Sequence, residues 1–256
     1  MTPSAIYARA RRWDAGLREL GLALAVYLFY VSARWLAAGS YPTALDHARE
    51  LWALEQRLRL AVEPDVQRAF VHTALLPVFN HLYLAAQNLV LPAALVLTYR
   101  VDQGVYLRLR RTLIGAWLIA IPIYALFPTA PPRLAHLGIA DTVSAGTGVQ
   151  LTSKTSTLFF NPFAAVPSLH VGFAFAVGIA LAAIAQRPLL RLFALAWGPA
   201  ILLTVVVTGN HFVFDAGAGL VVTAIAFFIA GRPTRALAGR RLPAPSYVTA
   251  PPCPAS

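Results

Sequence analysis

Ala164-Ala-Val-Pro-Ser-Leu-His-Val-Gly172 opens an apolar run that continues to Ile184, and Thr208-Gly-Asn-His-Phe-Val-Phe-Asp215 opens another that continues to Ala230. Both polar clusters stand where an apolar helix should begin. Ionisable groups are costly in hydrocarbon and rare inside membrane segments. His170, His211 and Asp215 at the mouths of two such segments therefore point to chemistry at a membrane surface.

The rest of the chain fits that setting. Of its 256 residues, 58% are hydrophobic and only 12% charged, and the mean hydropathy is +0.64. That is too apolar for an ordinary soluble domain and implies an all-α, polytopic membrane bundle. The net charge is +11, but the basic residues punctuate the apolar runs instead of gathering on one face, which argues against a nucleic-acid partner. Cys253, the one cysteine, lies in a Pro-rich tail, so neither a disulfide nor a Cys-ligated zinc site is expected.

Six apolar stretches are predicted to span the membrane: Leu20–Leu36, Leu75–Leu97, Leu109–Leu126, Leu169–Ile184, Leu192–Val207 and Phe212–Ala230. Several are short against the ~20 residues a crossing needs, and flanking arginines can snorkel to make up the length. A basic start followed by small residues near 37–40 also fits a cleaved signal peptide. The length of the run and Arg34 at its end favour a retained anchor. Residues 45–62 differ. Leu45, Ala48, Trp52 and Leu58 share a helical face against Asp46, Glu50, Arg57 and Arg59, the pattern of an outer amphipathic helix lying on the membrane. A solvated packing helix is the alternative. The domain division is a basic N-terminus over 1–19, a membrane domain over 20–231 and a disordered Pro/Ala-rich tail over 232–256.

Arginines orient the array. Arg9, Arg11, Arg12 and Arg18 precede the first span; Arg100, Arg108, Arg110 and Arg111 separate the second from the third. Arg187 and Arg191 separate the fourth from the fifth, and Arg232, Arg235, Arg240 and Arg241 follow the sixth. The positive-inside rule puts all of these in the cytoplasm with both termini, and five acidic residues between 37 and 74 offset part of the outer charge. Three distant segments then meet outside: Phe127-Pro-Thr-Ala-Pro-Pro-Arg133, the cluster ending at His170, and the cluster holding His211.

On a helix His211 and Asp215 share a face, so the carboxylate can fix the ring tautomer and leave the other nitrogen free to attack. His170, from another helix, can give a proton to a leaving oxygen. Ser168 stands in N-cap position, where backbone N–H groups and the helix dipole favour an anion, and Arg133 can grip phosphate oxygens. The set describes phosphoryl transfer. Each piece alone has a structural reading: a hydrogen-bonded helix-mouth histidine, a cap, a stiff Pro-Pro loop. A His–Asp pair can also bind a metal, but no third ligand has helpful spacing, and no cofactor is expected. In the second span Asn80, Tyr83 and Gln87 fall near one face, for a substrate headgroup or for interhelical hydrogen bonds.

Pro167-Ser168-Leu169-His170 and the His211…Asp215 block resemble the second and third signature motifs of the type 2 phosphatidic acid phosphatase superfamily. Its fold is shared with vanadium haloperoxidases and bacterial acid phosphatases. Phe127–Arg133, Asn161–His170 and Thr208-Gly-Asn-His211 further resemble its inositolphosphotransferase-like branch, which includes the fungal inositol phosphorylceramide synthases. The resemblance covers roughly Leu45 to Arg232. It implies that His211 forms a phosphohistidine, that Asp215 orients it, that His170 protonates the leaving group, and that Arg133 and Ser168 hold the phosphate, without a metal.

Water or an alcohol such as an inositol hydroxyl would resolve the intermediate. Thr204 and Val205 stand where the general motif carries Ser-Arg, so one phosphate-binding arginine is missing; Lys154, in the outer loop, can supply the charge or be a solvated lysine. The expectation is a multi-pass cell-membrane enzyme with an extracytoplasmic site and a membrane-lipid substrate. Hydrolysis and transfer to a polyol both remain open, as does a non-catalytic lipid-binding or transport protein on the same scaffold. A soluble haloperoxidase fits poorly.

Overall fold

The computed structural model describes residues 16–19, 21–22, 24–25, 28–29, 32, 40–153 and 161–231. The start of the chain to residue 15, Lys154 and the tail from 232, with Cys253, lie outside the described residues. So does much of the expected first span, whose described positions as far as residue 32 are helical.

Among the described residues the regular elements are helices, and two loops meet in an isolated bridge between Thr129 and Ala164. From residue 40 onward the order is α1 Tyr41–Leu58, α2 Glu63–Phe70, α3 Leu76–Val101, α4 Gln103–Leu126, α5 Thr142–Thr147, α6 Leu169–Ile184, α7 Pro188–Val207 and α8 Val213–Ala230. Four of these, α3, α4, α7 and α8, are long and apolar enough to cross a membrane. The apolar α6 is shorter, with 16 residues.

Three of the spans, α3, α4 and α7, run longer than the apolar runs alone suggest. Helix α4 begins at Gln103 rather than Leu109 because Asp102 caps it, its Oδ1 accepting from Gly104 N at 2.8 Å and Val105 N at 2.9 Å. Arg108, Arg110 and Arg111 therefore lie in the early turns of α4, at the end opposite Phe127. There Arg110 pairs with Glu19 of the first helical segment, and the Arg108 guanidinium lies 3.8 Å over the Phe227 ring. Helix α3 is not one continuous α-helix: residues Ala86–Val90 form a π-helical turn.

Helix α6 is buried nearly all round, between α4, α7 and α8. Small residues permit the approach. A Cβ added at Gly172 would fall 2.0 Å from Thr223 Oγ1, one at Gly219 2.0 Å from Ser168 O, and one at Gly178 2.5 Å from Ala194 O. Backbones this close give dense packing where lipid offers no hydrophobic drive between helices. Leu109, Leu113, Ala116, Phe173, Val177, Val222 and Ala226 fill the α4–α6–α8 core.

The amphipathic helix is present, with its inner face rotated from the expected one. Ala44, Ala48, Leu51 and Glu55 are buried, whereas Leu58 is 54% exposed and Leu45 and Trp52 are half-buried. This face packs on the molecule's own loops, against Ala130, Ala135, Val166 and Phe212. The chain then turns at Arg59, whose φ is 58°, into the short α2.

Candidate active site

Each of the three polar segments is fixed by its neighbours before any ligand is considered. Thr129 N donates to Phe163 O at 2.8 Å and Ala165 N to Thr129 O at 3.2 Å, joining the loop after α4 to the loop before α6. Tyr124 Oη donates to Pro167 O at 2.7 Å. Ser168 N donates to Asp215 O at 2.9 Å, which fastens the start of α6 to the start of α8. Gly209, with φ +67°, makes the turn out of α7, a conformation that L side chains adopt rarely. Its carbonyl accepts from Arg133 N at 3.0 Å, so the first segment is bound to the third.

His211 lies in the turn before α8, not on the helix, and its ring is 6% exposed as a residue. The Nδ1 atom is 3.1 Å from Ala165 O and 3.4 Å from Asp215 Oδ2. The expected pairing with Asp215 is present, but the carbonyl is the nearer acceptor. It requires a proton on Nδ1, which leaves Nε2 as the nitrogen with a lone pair. Asp215 is fully buried at the third position of α8, and its Oδ2 also accepts from Phe212 N at 2.9 Å. Burial pushes the His211 imidazole down to about 3, with the Arg133 charge acting the same way against the Ala165 hydrogen bond. The ring is thus neutral at physiological pH.

His170, in the first turn of α6, faces His211 with ring centroids 5.9 Å apart. It stacks on Tyr83 at 4.5 Å and 12°. Arg133 comes from a short 3₁₀ turn, Pro132–Leu134. Its Nε donates to Asn210 Oδ1 at 2.8 Å, and a terminal nitrogen lies 3.4 Å from Asp141 Oδ2. Its side chain is 5% exposed, so the cation is held nearly dry beside the histidines.

These groups line a cavity of about 290 Å³. Its wall contains His170, His211, Arg133, Asn210, Asn161, Tyr83, Gln87 and Asn88, with Leu84, Leu91, Trp117 and Leu169 as apolar flank. The π-helical turn carries Gln87 and Asn88, as π turns often do at functional positions. Asn80, by contrast, is used structurally: Nδ2 donates to Thr142 O at 2.9 Å and Oδ1 accepts from Thr142 Oγ1 at 2.8 Å. Ser168 occupies the N-cap position of α6 but is fully buried, outside the cavity wall, and its hydroxyl has no partner among the described residues. Val205 is core, packed with Val171, Ala174 and Ile201. Among the described residues no group of three or more His, Cys, Asp or Glu side chains is arranged to hold a metal ion.

Two residues behind the site escaped the reading of the sequence. Glu55 and Glu63 belong to the acids of the first outer loop, yet both are fully buried. Glu63 Oε1 accepts from Val213 N at 2.8 Å and Glu55 Oε1 from Phe214 N at 2.7 Å. Glu55 follows Ala44, Ala48 and Leu51 on the small, apolar stripe of α1, and a carboxyl on that stripe is the signal that marks it.

A profile of the PAP2 superfamily matches residues 49–229, and the chain belongs to that superfamily. Its members are phosphatases and phosphotransferases, which puts this membrane protein among enzymes of phosphoryl transfer. No curated protein and no solved structure matches the chain.

Proposed function

We propose that this protein is a metal-independent lipid phosphatase or phosphotransferase that works through a phosphohistidine at His211. The observation that carries the reading is the placement of two imidazoles, His170 and His211, across one cavity with the buried Arg133 in the same wall. Nε2 of neutral His211 attacks phosphorus while the bond from phosphorus to the leaving oxygen breaks. His170, which takes up a proton as the anionic phosphate binds beside it, gives that proton to the leaving oxygen. Asp215 and the Ala165 carbonyl hold the imidazolium that forms. Water or an alcohol then attacks phosphorus, the P–N bond breaks, and His170 takes the proton of the incoming hydroxyl. Arg133 spans the charged oxygens throughout.

Arginine placement supports a site on the outer face with both termini in the cytoplasm. The apolar flank of Leu84, Leu91, Trp117 and Leu169 suits the first carbons of a lipid tail. Transfer to a polyol, as in the inositolphosphotransferase-like branch, is the second reading. The amides of Gln87 and Asn161 in the cavity wall favour it, because carboxamides pair well with hydroxyl groups. Lys154 is the further phosphate contact in this scheme, whereas the Ser168 N–H is already taken by Asp215 O.

The test is purified protein in detergent against a panel of lipid phosphates and phosphodiesters, with and without labelled inositol. His211→Ala and His170→Ala are each expected to abolish turnover while remaining inserted. Full activity in both variants would sink the mechanism; a new labelled lipid would select transfer over hydrolysis.

A further inference from the structure

A helix start leaves its first N–H groups without partners inside the helix. At α8 three consecutive ones are taken by three different carboxylates: Phe212 N by Asp215, Val213 N by Glu63 and Phe214 N by Glu55. Glu55 comes from α1 and Glu63 from α2, more than a hundred residues away in sequence. All three side chains are fully buried, and Glu55 Oε2, Glu63 Oε2 and Asp215 Oδ1 have no partner among the described residues. Buried carboxyls without cations nearby are an expensive way to cap a helix, since serine or asparagine would do it without charge. Something else must favour them.

The arrangement matters for what Asp215 is left free to do. An aspartate at the third position of a helix is well placed to bend back onto open N–H groups of the first turn. With Val213 N and Phe214 N already occupied, Asp215 keeps Oδ2 on Phe212 N and within 3.4 Å of His211 Nδ1. We propose that Glu55 and Glu63 are positioning residues, which hold the His211–Asp215 pair in its reactive geometry by occupying the first N–H groups of α8. This rests on His211 as the nucleophile. It also gives the two outer helices a role in catalysis: α1 and α2 reach under the site and set the direction of its orienting carboxylate. Burial raises the Glu55 carboxyl, with Glu63 and Asp215 acting the same way, and the proton it retains limits the negative charge behind the nucleophile.

The experiment compares Glu55→Ala, Glu63→Ala, Glu63→Asp and the two Glu→Gln variants with wild type and His211→Ala. It has two readouts: kcat and KM on dioleoyl phosphatidic acid in detergent micelles, and the ¹⁵N histidine spectrum of substrate-free protein. The Ala and Asp variants are expected to lose kcat by about 10- to 100-fold with KM within about twofold, the usual scale for residues that orient a reacting group. Their His211 Nδ1 signal should shift from its wild-type position as the contact with Asp215 Oδ2 is lost. Gln keeps the acceptor oxygen, so Gln variants should recover most of the loss. Glu63→Asp decides the matter if the Ala variants fail to insert, because it retains the carboxyl group and shortens only the reach. Wild-type kcat and an unchanged His211 spectrum in folded Ala or Asp variants would overturn the proposal. Activity persisting in His211→Ala would instead overturn the phosphohistidine reading, and the spectra still judge the positioning role in protein that shows no turnover.

Discussion

Arg133 Nε donates to Asn210 Oδ1 at 2.8 Å, so the amide that ends the Thr208-Gly-Asn turn aims the cation supplied by the loop after α4. Asn210 is itself set by its Nδ2, which donates to Thr208 Oγ1 at 2.9 Å. Anchored at Nε by Asn210 and at one terminal nitrogen by Asp141 Oδ2, 3.4 Å away, the guanidinium keeps its remaining terminal N–H groups for phosphate oxygens. Arg133→Lys removes the fork and is expected to lower kcat/KM by about 100-fold or more, whereas Asn210→Ala leaves the charge and should cost about tenfold. Steady-state kinetics on phosphatidic acid reads both; a lysine variant equal to wild type would refute the bidentate role.

The state of His211 can be read directly. Burial holds its imidazole down at about 3 against an ordinary 6.5. A depressed folded value makes the neutral ring a stabilising feature above pH 6.5, and that contribution fades as pH falls through about 3. At about pH 5 the ¹⁵N spectrum should therefore still show neutral His211 protonated on Nδ1. A ring half-charged near pH 6 would contradict the buried environment.

Glu55 shifts the other way. Burial, with the Glu63 carboxyl beside it, raises its carboxyl from 4.5 to about 8 despite the hydrogen bond from Phe214 N. Because the folded protein holds this proton more tightly than the unfolded chain, the contribution is complete below about pH 4.5 and is lost as pH rises through about 8. Thermal unfolding in detergent across that window should show stability declining with pH. Glu55→Gln should flatten the decline, and an unchanged slope would show that Glu55 ionises normally.

Gly219 is where packing and chemistry share a contact. A Cβ there would lie 2.0 Å from the carbonyl oxygen of Ser168, two residues before His170. Gly219→Ala is expected to cost about 1–3 kcal/mol by overpacking and to lower kcat by moving the start of α6 away from α8. Unfolding and turnover measured on one preparation check this; a variant normal in both would show that the interface has slack.

How much of this was legible in the chain depends on what each residue answers to. Apolar runs suffice for the four helices long and apolar enough to cross a membrane, since hydrocarbon imposes one requirement on every helix. His170, His211 and Arg133 could be read as convergent because topology alone brings those helix ends together, and Tyr83 and Gln87 because their spacing puts them on one face of α3. Asn80 and Ser168 could not, because a polar side chain at such a position serves either a cavity or a neighbouring backbone, and only packing decides between them. Glu55 and Glu63 read as solvated charges for the same reason. Their partners are N–H groups of α8, and sequence carries no mark of which N–H groups a distant helix will reach. The rotated face of α1 follows too: Ala44 and Leu51 are buried because loops, not lipid, lie beneath them.

The central claim is that His211 carries the phosphoryl group. Protein incubated briefly with ³²P-labelled phosphatidic acid, quenched in alkali and mapped by mass spectrometry tests it most directly. The account predicts an alkali-stable, acid-labile phosphoryl group on His211, absent from His211→Ala and accumulating in His170→Ala when a substrate with a good leaving group is used. Turnover in wild type with label on another residue, or with turnover undiminished in His211→Ala, would contradict it.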